Sequence, residues 1–412
     1  MRYGKYKDIG VGWIGKIPDS WELNKGKYIY SICTGKLDAN EYVEDGKYPF
    51  FTCSNENLWI DTFAFDCEAL LVSGNGNVGF TRYYNGRFNA YQRVYVISNF
   101  AEKINSNYLK YYTSSLLISS VENNAVGSVI EFIKLGDIKN FIICIPSAKE
   151  QEKIVNYLDD KTSKIDSIIK DLESEKDKLE VYKMELIAKV ITKGLDENIP
   201  MKDSGVDWIG EVPEHWEVEK IKWVFKILKR QNGRDDRPVL SITQQGIKIK
   251  DIENNDGQMA ESYEDYQLVE PGDFAMNSMD LLTGWIDCSQ YEGVTSPDYR
   301  VFRLIDINDH NNDFYNYLFQ MCYKRRIFYR IGQGVSNLGR WRLQREPFLN
   351  MKIPVPPKEE QENISNFIRI KENKINVIVN EVEKQIEKLK EYRKILIHEA
   401  VTGKLKIDGG SN

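Results

Sequence analysis

Two stretches of the chain concentrate cations and amides and contain no carboxylate. From Phe319 to Arg345 stand Lys324, Arg325, Arg326, Arg330, Arg340, Arg342 and Arg345, interleaved with Tyr323, Phe328, Tyr329 and Trp341. A polar turn in the middle carries Gln333, Ser336 and Asn337. From Ala69 to Ala101 a weaker version holds Arg82, Arg87 and Arg93, with Asn75, Asn77 and Gln92 among its amides. Arginine and lysine neutralise phosphate, arginine grips guanine with two hydrogen bonds, and asparagine or glutamine matches the adenine edge. The cations and amides named here, with Ser336 and without Arg345, are the candidate DNA contacts. The competing reading is a solvated face that pairs with nearby carboxylates. The chain of 412 residues has a net charge of −6, which by itself speaks against nucleic acid. The acidic residues concentrate in linkers and helical tracts, so the total leaves room for local basic footprints.

Catalytic signatures fail one after another. Gly74-Asn75-Gly76-Asn77-Val78-Gly79 matches a dinucleotide loop, but strand-like residues follow it and no acid lies near. A Gly/Asn-rich hairpin is the better reading. There is no phosphate loop, and no Asn-Pro-Pro-aromatic tetrapeptide of the kind adenine methyltransferases use; Ser296-Pro297-Asp298-Tyr299 is a near miss. The three histidines, His215, His310 and His398, lie roughly 90 residues apart, and the six cysteines form no C-x-x-C pair. Neither a metal motif nor a nucleophile–base pair is in view. No catalytic, cofactor-binding or metal-binding residue is assigned.

The frame that carries the basic stretches occurs twice. Trp13-Ile14-Gly15-Lys16-Ile17-Pro18-Asp19-Ser20-Trp21 returns 195 residues later as Trp208-Ile209-Gly210-Glu211-Val212-Pro213-Glu214-His215-Trp216. Both tryptophan pairs read as structural anchors. Pro146 with Glu150-Gln151-Glu152 returns 210 residues later as Pro356 with Glu360-Gln361-Glu362, each leading into a long charged tract. Leu158, Ile165, Leu172, Leu179 and Leu186 recur every seven residues in the first tract. Ile368, Ile375, Val382, Leu389 and Leu396 do so in the second. Ile168, Tyr182, Ile378 and Tyr392 partly fill a second core position, which Lys161, Glu175 and Lys189 interrupt. A sustained 3.5-residue period predicts a coiled coil, each helix about 43 residues and ~65 Å long. Gly194 and Gly403 suit the helix ends.

The intervening segments differ from each other. Ala69–Val72, Val94–Ile97, Asp273–Met276 and Tyr299–Leu304 read as strands, Ser106–Ser115 and Phe314–Tyr329 as helices, and Pro271-Gly272 as a turn. An α+β fold with an internally duplicated, pseudo-two-fold plan follows. The expected divisions are a globular domain over 1–145, a long helix over 146–195, a second globular domain over 196–353, a long helix over 354–405 and a tail over 406–412. No stretch is apolar enough to span a membrane, and the start lacks a signal-peptide core, so a cytoplasmic protein is expected.

On these carriers the chain resembles the specificity subunit of bacterial type I restriction–modification systems. They are the doubled Trp-Ile-Gly-x-[Ile/Val]-Pro-x-x-Trp segment, the doubled Pro…Glu-Gln-Glu approach to a long helix, and the ends Val190–Leu195 and Ala400–Leu405. Val269–Phe274 and Ser296–Val301 fit as well. The resemblance implies two target recognition domains, each reading half of an asymmetric bipartite site in double-stranded DNA. It implies an antiparallel helix pair that sets the gap and docks two adenine-N6 methyltransferase subunits. Those partners would use S-adenosylmethionine, and restriction subunits would use ATP and Mg; this chain itself would be non-catalytic and hold no cofactor. The rival is a coiled-coil interaction scaffold without DNA specificity.

Overall fold

The computed structural model describes residues 2–56, 58–122, 131–233, 236–251, 262–334 and 341–407. Four helices organise it: α1 (Ser106–Glu122), α2 (Ala148–Lys193), α3 (Asn312–Lys324) and α4 (Lys358–Val401). The chain divides into two compact units, 1–173 with 382–412, and 174–381. Each unit therefore combines one globular part with half of α2 and half of α4.

The first unit is built on a six-stranded sheet in which two adjacent inner strands, Phe65–Ser73 from Ala69 onward and Val94–Ser98, are buried on both faces. Leu70, Val72 and Ile97 join a core with α1. Ala69, Leu71, Val94 and Val96 join a smaller core with Phe88 on the other side. Two-sided burial explains the unbroken apolar runs in the sequence. The Gly/Asn-rich loop is the expected hairpin: Phe65–Ser73 pairs antiparallel with Thr81–Ala90, Val72 opposite Thr81. Gly76 and Gly79 adopt φ of 62° and 76° in that turn, the left-handed region glycine favours.

The second unit carries a four-stranded sheet in the order Phe225–Leu228, Arg300–Leu304, Phe274–Met276, Ile286–Cys288. Phe274 stacks on Phe302 at 5.4 Å, and Phe225 and Phe319 meet them edge-on or tilted, joining the sheet to α3. The helix expected over Phe314–Tyr329 is broken. α3 ends at Lys324, Arg326 takes a left-handed φ of 56°, and a short turn, Ile327–Arg330, follows.

The repeated motif has a physical explanation. Trp21 is fully buried, and its indole donates to Glu150 Oε1 at 3.2 Å in the first turn of α2. Trp216, equally buried, donates to Glu360 Oε2 at 2.9 Å in the first turn of α4. A buried indole N–H needs an acceptor, and a carboxylate at a helix start also meets the positive end of the dipole. The next residue, Gln151 or Gln361, is buried and fully engaged. Gln151 accepts from Asn105 N at 2.8 Å and donates to the Lys103 and Pro146 carbonyls at 2.8 and 2.9 Å. Gln361 accepts from Asn311 N at 2.8 Å and donates to the Pro356 carbonyl at 2.8 Å. Asn105 and Asn311 in turn cap α1 and α3 through the amides of Tyr108 and Phe314.

Within each unit α2 and α4 run antiparallel. In the first, Asp166 pairs with Arg393 at 2.9 Å and Glu173 with Lys390 at 3.6 Å. In the second, Lys183 donates to Asn376 Oδ1 at 3.1 Å, and Ile187 and Ile191 share a core with Ile364 and Ile368. Leu158, Ile165, Ile368, Ile375, Val382 and Leu396 are buried, while Leu172, Leu179, Leu186 and Leu389 are half-buried. The second core position differs from the expected one. Ile168, Tyr182, Ile378 and Tyr392 are about half exposed, and Lys161, Glu175 and Lys189 face solvent. The buried partners lie four residues after the heptad leucines, not three: Thr162, Ile169, Lys183, Val190, Val379 and Ile386. Two of them, Thr162 and Lys183, are polar, so the apolar residues at the solvent-facing phase outweighed them in the sequence pattern. Ile169→Ala is expected to cost about 2–5 kcal/mol of stability, whereas Ile168→Ala stays within about 0.5 kcal/mol. Thermal unfolding of the two variants checks the register.

Candidate nucleic-acid interface

In the first unit, hairpin geometry gathers part of the predicted set at one edge. Asn75, on the turn after Ser73, bridges to Phe132, and Asn77 Nδ2 donates to Asn55 Oδ1 at 2.9 Å. Arg82 reaches the Thr52 carbonyl and lies over the Phe51 and Phe80 rings at 4.9 and 5.3 Å. Burial lowers its pKa, so this guanidinium is held as a structural cation rather than offered freely. Arg93 is exposed, and its carbonyl accepts from Cys53 Sγ, which puts it beside the same loop. Arg87 and Gln92 are engaged elsewhere: Arg87 pairs with Asp66 at 2.9 Å and Gln92 donates to Asp38 Oδ1 at 2.8 Å. For these two the competing reading, cations and amides matched to local carboxylates, describes what is seen.

In the second unit the break after α3 sets the arrangement. Arg325 ion-pairs with Glu185 on α2, which fastens the end of α3 to the long helix. Lys324 lies 5.5 Å from the Trp285 ring; burial lowers its pKa, as does nearby Lys183, while Glu372 and Glu180 oppose the shift. Arg326, Arg330 and Arg342 are exposed and have no side-chain partner among the described residues. Gln333 and Arg342 exchange both backbone hydrogen bonds, at 2.8 and 3.0 Å, and the Tyr329 and Trp341 rings pack 4.1 Å apart beside them. Ser336, Asn337 and Arg340 lie outside the described residues.

The tract also frames a cleft that sequence reasoning missed. About 250 Å³ in volume, it is lined by Gln244, Leu281, Leu282, Gly284, Trp285, Tyr323, Lys324 and Arg326. Gln244 comes from the tip of a hairpin, Leu240–Thr243 with Gly246–Ile249, some 80 residues before Lys324, so no local spacing announces it. The helix caps Asn105 and Asn311 were missed too, although an Asn three residues before an aromatic at a helix start is an N-cap signal.

No helix among the described residues is long and apolar enough to cross a membrane. No cluster of three or more metal-ligating side chains occurs among them.

A duplicated frame, two unlike α+β parts and paired long helices define a particular class of fold. The sequence profile of the type I restriction modification DNA specificity domain matches residues 18–175 and 213–388, and the chain belongs to that family. It is 38% identical over 166 residues to the EcoDI specificity subunit of Escherichia coli, covering 40% of this chain and 35% of that protein. The match thus spans about a third of that relative's length. It is 26% identical to the MjaVIII specificity subunit of Methanocaldococcus jannaschii, covering 95% of this chain and 94% of that one. A chain from a structure on complex assembly and conformational transition of the type I R-M system superposes with a TM-score of 0.67 at 12% identity. That superposition covers 94% of this chain and 99% of the other and establishes a common fold.

Arg93→Ala and Arg330→Ala are each expected to weaken DNA binding uniformly across sequences and to reduce the slope of log K against log salt by about 1. Arg87→Ala, whose charge is already matched by Asp66, leaves the slope unchanged. Titration of duplex DNA at several salt concentrations reads all three.

Proposed function

We propose that this chain is the non-catalytic specificity subunit of a type I restriction–modification complex, with each unit reading one half of an asymmetric bipartite DNA site. The observation that carries the reading is the combination of identical framing with unlike contents. Both units hold the same Trp–Glu–Gln anchor, yet their sheets and exposed arginines differ. Equal frames suit two copies of one partner, and unlike reading surfaces suit two different half-sites. The exposed guanidinium groups of Arg93 in one unit and Arg326, Arg330 and Arg342 in the other supply the phosphate and base chemistry.

The helix pair would set the gap between half-sites. α2 has 46 residues, about 69 Å at 1.5 Å per residue, which is close to two turns of B-DNA at ~34–36 Å each. Its solvent face supports the docking of two methyltransferase subunits. Ile168 and Tyr392 are exposed in the first unit, and Tyr182 and Ile378, their counterparts by the 210-residue repeat, are exposed in the second. Half-exposed isoleucines and tyrosines at duplicated positions are the composition of a protein-binding surface. In this reading the methyltransferase subunits bring S-adenosylmethionine and methylate adenine N6, and restriction subunits bring ATP and Mg. The complex would work in the cytoplasm of a bacterial cell.

Mapping of N6-methyladenine across the genome, with and without this gene, tests the proposal. Loss of one bipartite motif is the expected result. An unchanged map, with the methyltransferase shown to be expressed, would transfer the reading to a protein scaffold. Inserting four residues between Ile165 and Leu186 is expected to change the preferred gap while leaving both half-sites as they were; an unchanged gap would remove the helices from that role.

A further inference from the structure

We propose that the cleft beside the α3 break reads a base pair through the side chains of Gln244 and Arg326, so that these two residues set one position of the second unit's half-site. The inference rests on the reading of the chain as a DNA specificity subunit and goes beyond it by naming the reading point.

Three observations converge there. The first is the chemistry of the rim. Gln244 donates one Nε2 hydrogen to the Thr283 carbonyl at 3.4 Å, which holds the amide against the wall, and keeps a second donor and its acceptor, the pair that matches the adenine edge. Arg326 presents the fork that matches guanine. Both are exposed, and Arg326 has no side-chain partner among the described residues. The floor, Leu281 and Trp285, is apolar and 2% and 6% exposed, suited to a thymine methyl or a ring edge.

The second is rigidity. The wall over 277–285 is locked by Asn277 N to the Trp285 carbonyl at 2.9 Å, Gly284 N to the Asp280 carbonyl at 3.0 Å and Leu281 N to the Trp341 carbonyl at 3.0 Å. A Cβ at Gly284 would sit 2.1 Å from the Asp280 oxygen, so only glycine allows this tight turn. The one carboxylate in the loop, Asp280, is occupied by Leu282 N and Thr283 N at 2.9 and 3.1 Å. A pre-shaped wall with its acid engaged does not have to be ordered or neutralised when DNA arrives.

The third is the backbone of Arg326. Its φ of 56° and ψ of 30° are unfavourable for a residue with a Cβ, and glycine would adopt them more readily. A long cation kept at a left-handed position at the mouth of a cleft is the arrangement in which local strain accompanies a binding role.

The test uses the full chain assembled with its methyltransferase partners. Methylated motifs are mapped in cells carrying wild type, Gln244→Ala, Arg326→Ala or Arg326→Gly. Affinity for duplexes built on the wild-type motif is then measured against single-base variants of it. Arg326→Gly removes the guanidinium while relieving the backbone, so a misfolded product is not the explanation of its effect. The expected result is a half-site that becomes degenerate at one or two adjacent positions, with discrimination there reduced about ten- to hundredfold and the other half-site intact. Retention of the full motif by Arg326→Gly and Gln244→Ala would overturn the proposal. So would an equal loss of affinity for all duplexes, which marks phosphate contacts only. If wild type itself produced no methylated motif, the underlying reading as a specificity subunit would fail instead, and the two failures are thereby separate.

Discussion

Everything in the molecule depends on the hydrogen bond from a buried tryptophan to a glutamate in the first turn of a long helix. Trp21 and Trp216 contribute large apolar surfaces to their cores, and each carries one N–H that burial would leave costly without a partner. Glu150 and Glu360 supply the acceptor. The same rings also contact the opposite helix. A Cβ at Gly403, just past the end of α4, would meet Pro18 at 2.4 Å and Trp21 at 3.1 Å. A Cβ at Gly194, just past the end of α2, would meet Trp216 at 3.2 Å. Each tryptophan thus holds the start of one long helix and the end of the other. Within a unit only antiparallel helices satisfy that demand.

The helix pair then has to find its register, and it does so at some expense of stability. Lys183, nearly buried, bonds Glu180 at 2.7 Å and Asn376 at 3.1 Å. Moved by the 210-residue repeat, these positions become Arg393 and Asp166, which pair in the other unit. Polar pairs inside an apolar seam stabilise less than leucines would, but a shift of the seam would strand the charge. The same phase turns Ile168, Tyr182, Ile378 and Tyr392 outward. Apolar residues outside the seam are thereby left half exposed on the helix surface.

Charge is used in two ways within the acid-free stretches. Arg87, Arg325 and Arg82 belong to acid-poor stretches, yet each is engaged: by Asp66, by Glu185 on a helix 140 residues away, and by the Thr52 carbonyl with two aromatic rings. Arg93, Arg326, Arg330 and Arg342 come from the same stretches and are exposed, with no side-chain hydrogen bond or ion pair among the described residues. A chain of net negative charge can therefore offer local cationic groups, because the two stretches contain no carboxylate of their own.

The sequence by itself determined the duplicated frame, the two long helices with their glycine ends, the Gly/Asn-rich hairpin and the strands at Ala69–Val72, Val94–Ile97 and Asp273–Met276. These are properties of local pattern: period, turn chemistry and repeat spacing report on neighbours along the chain. The tertiary structure decided the rest. It chose the four-residue over the three-residue phase for the second seam position, because polar Thr162 and Lys183 could be satisfied inside. It broke the helix after Lys324 so that Arg326 turned toward a cleft, and it spent Arg325 on Glu185. It brought Gln244 beside Lys324 and Arg326 from a distant hairpin. Which cation is free and which is paired depends on groups remote in the chain, and no window of residues contains them.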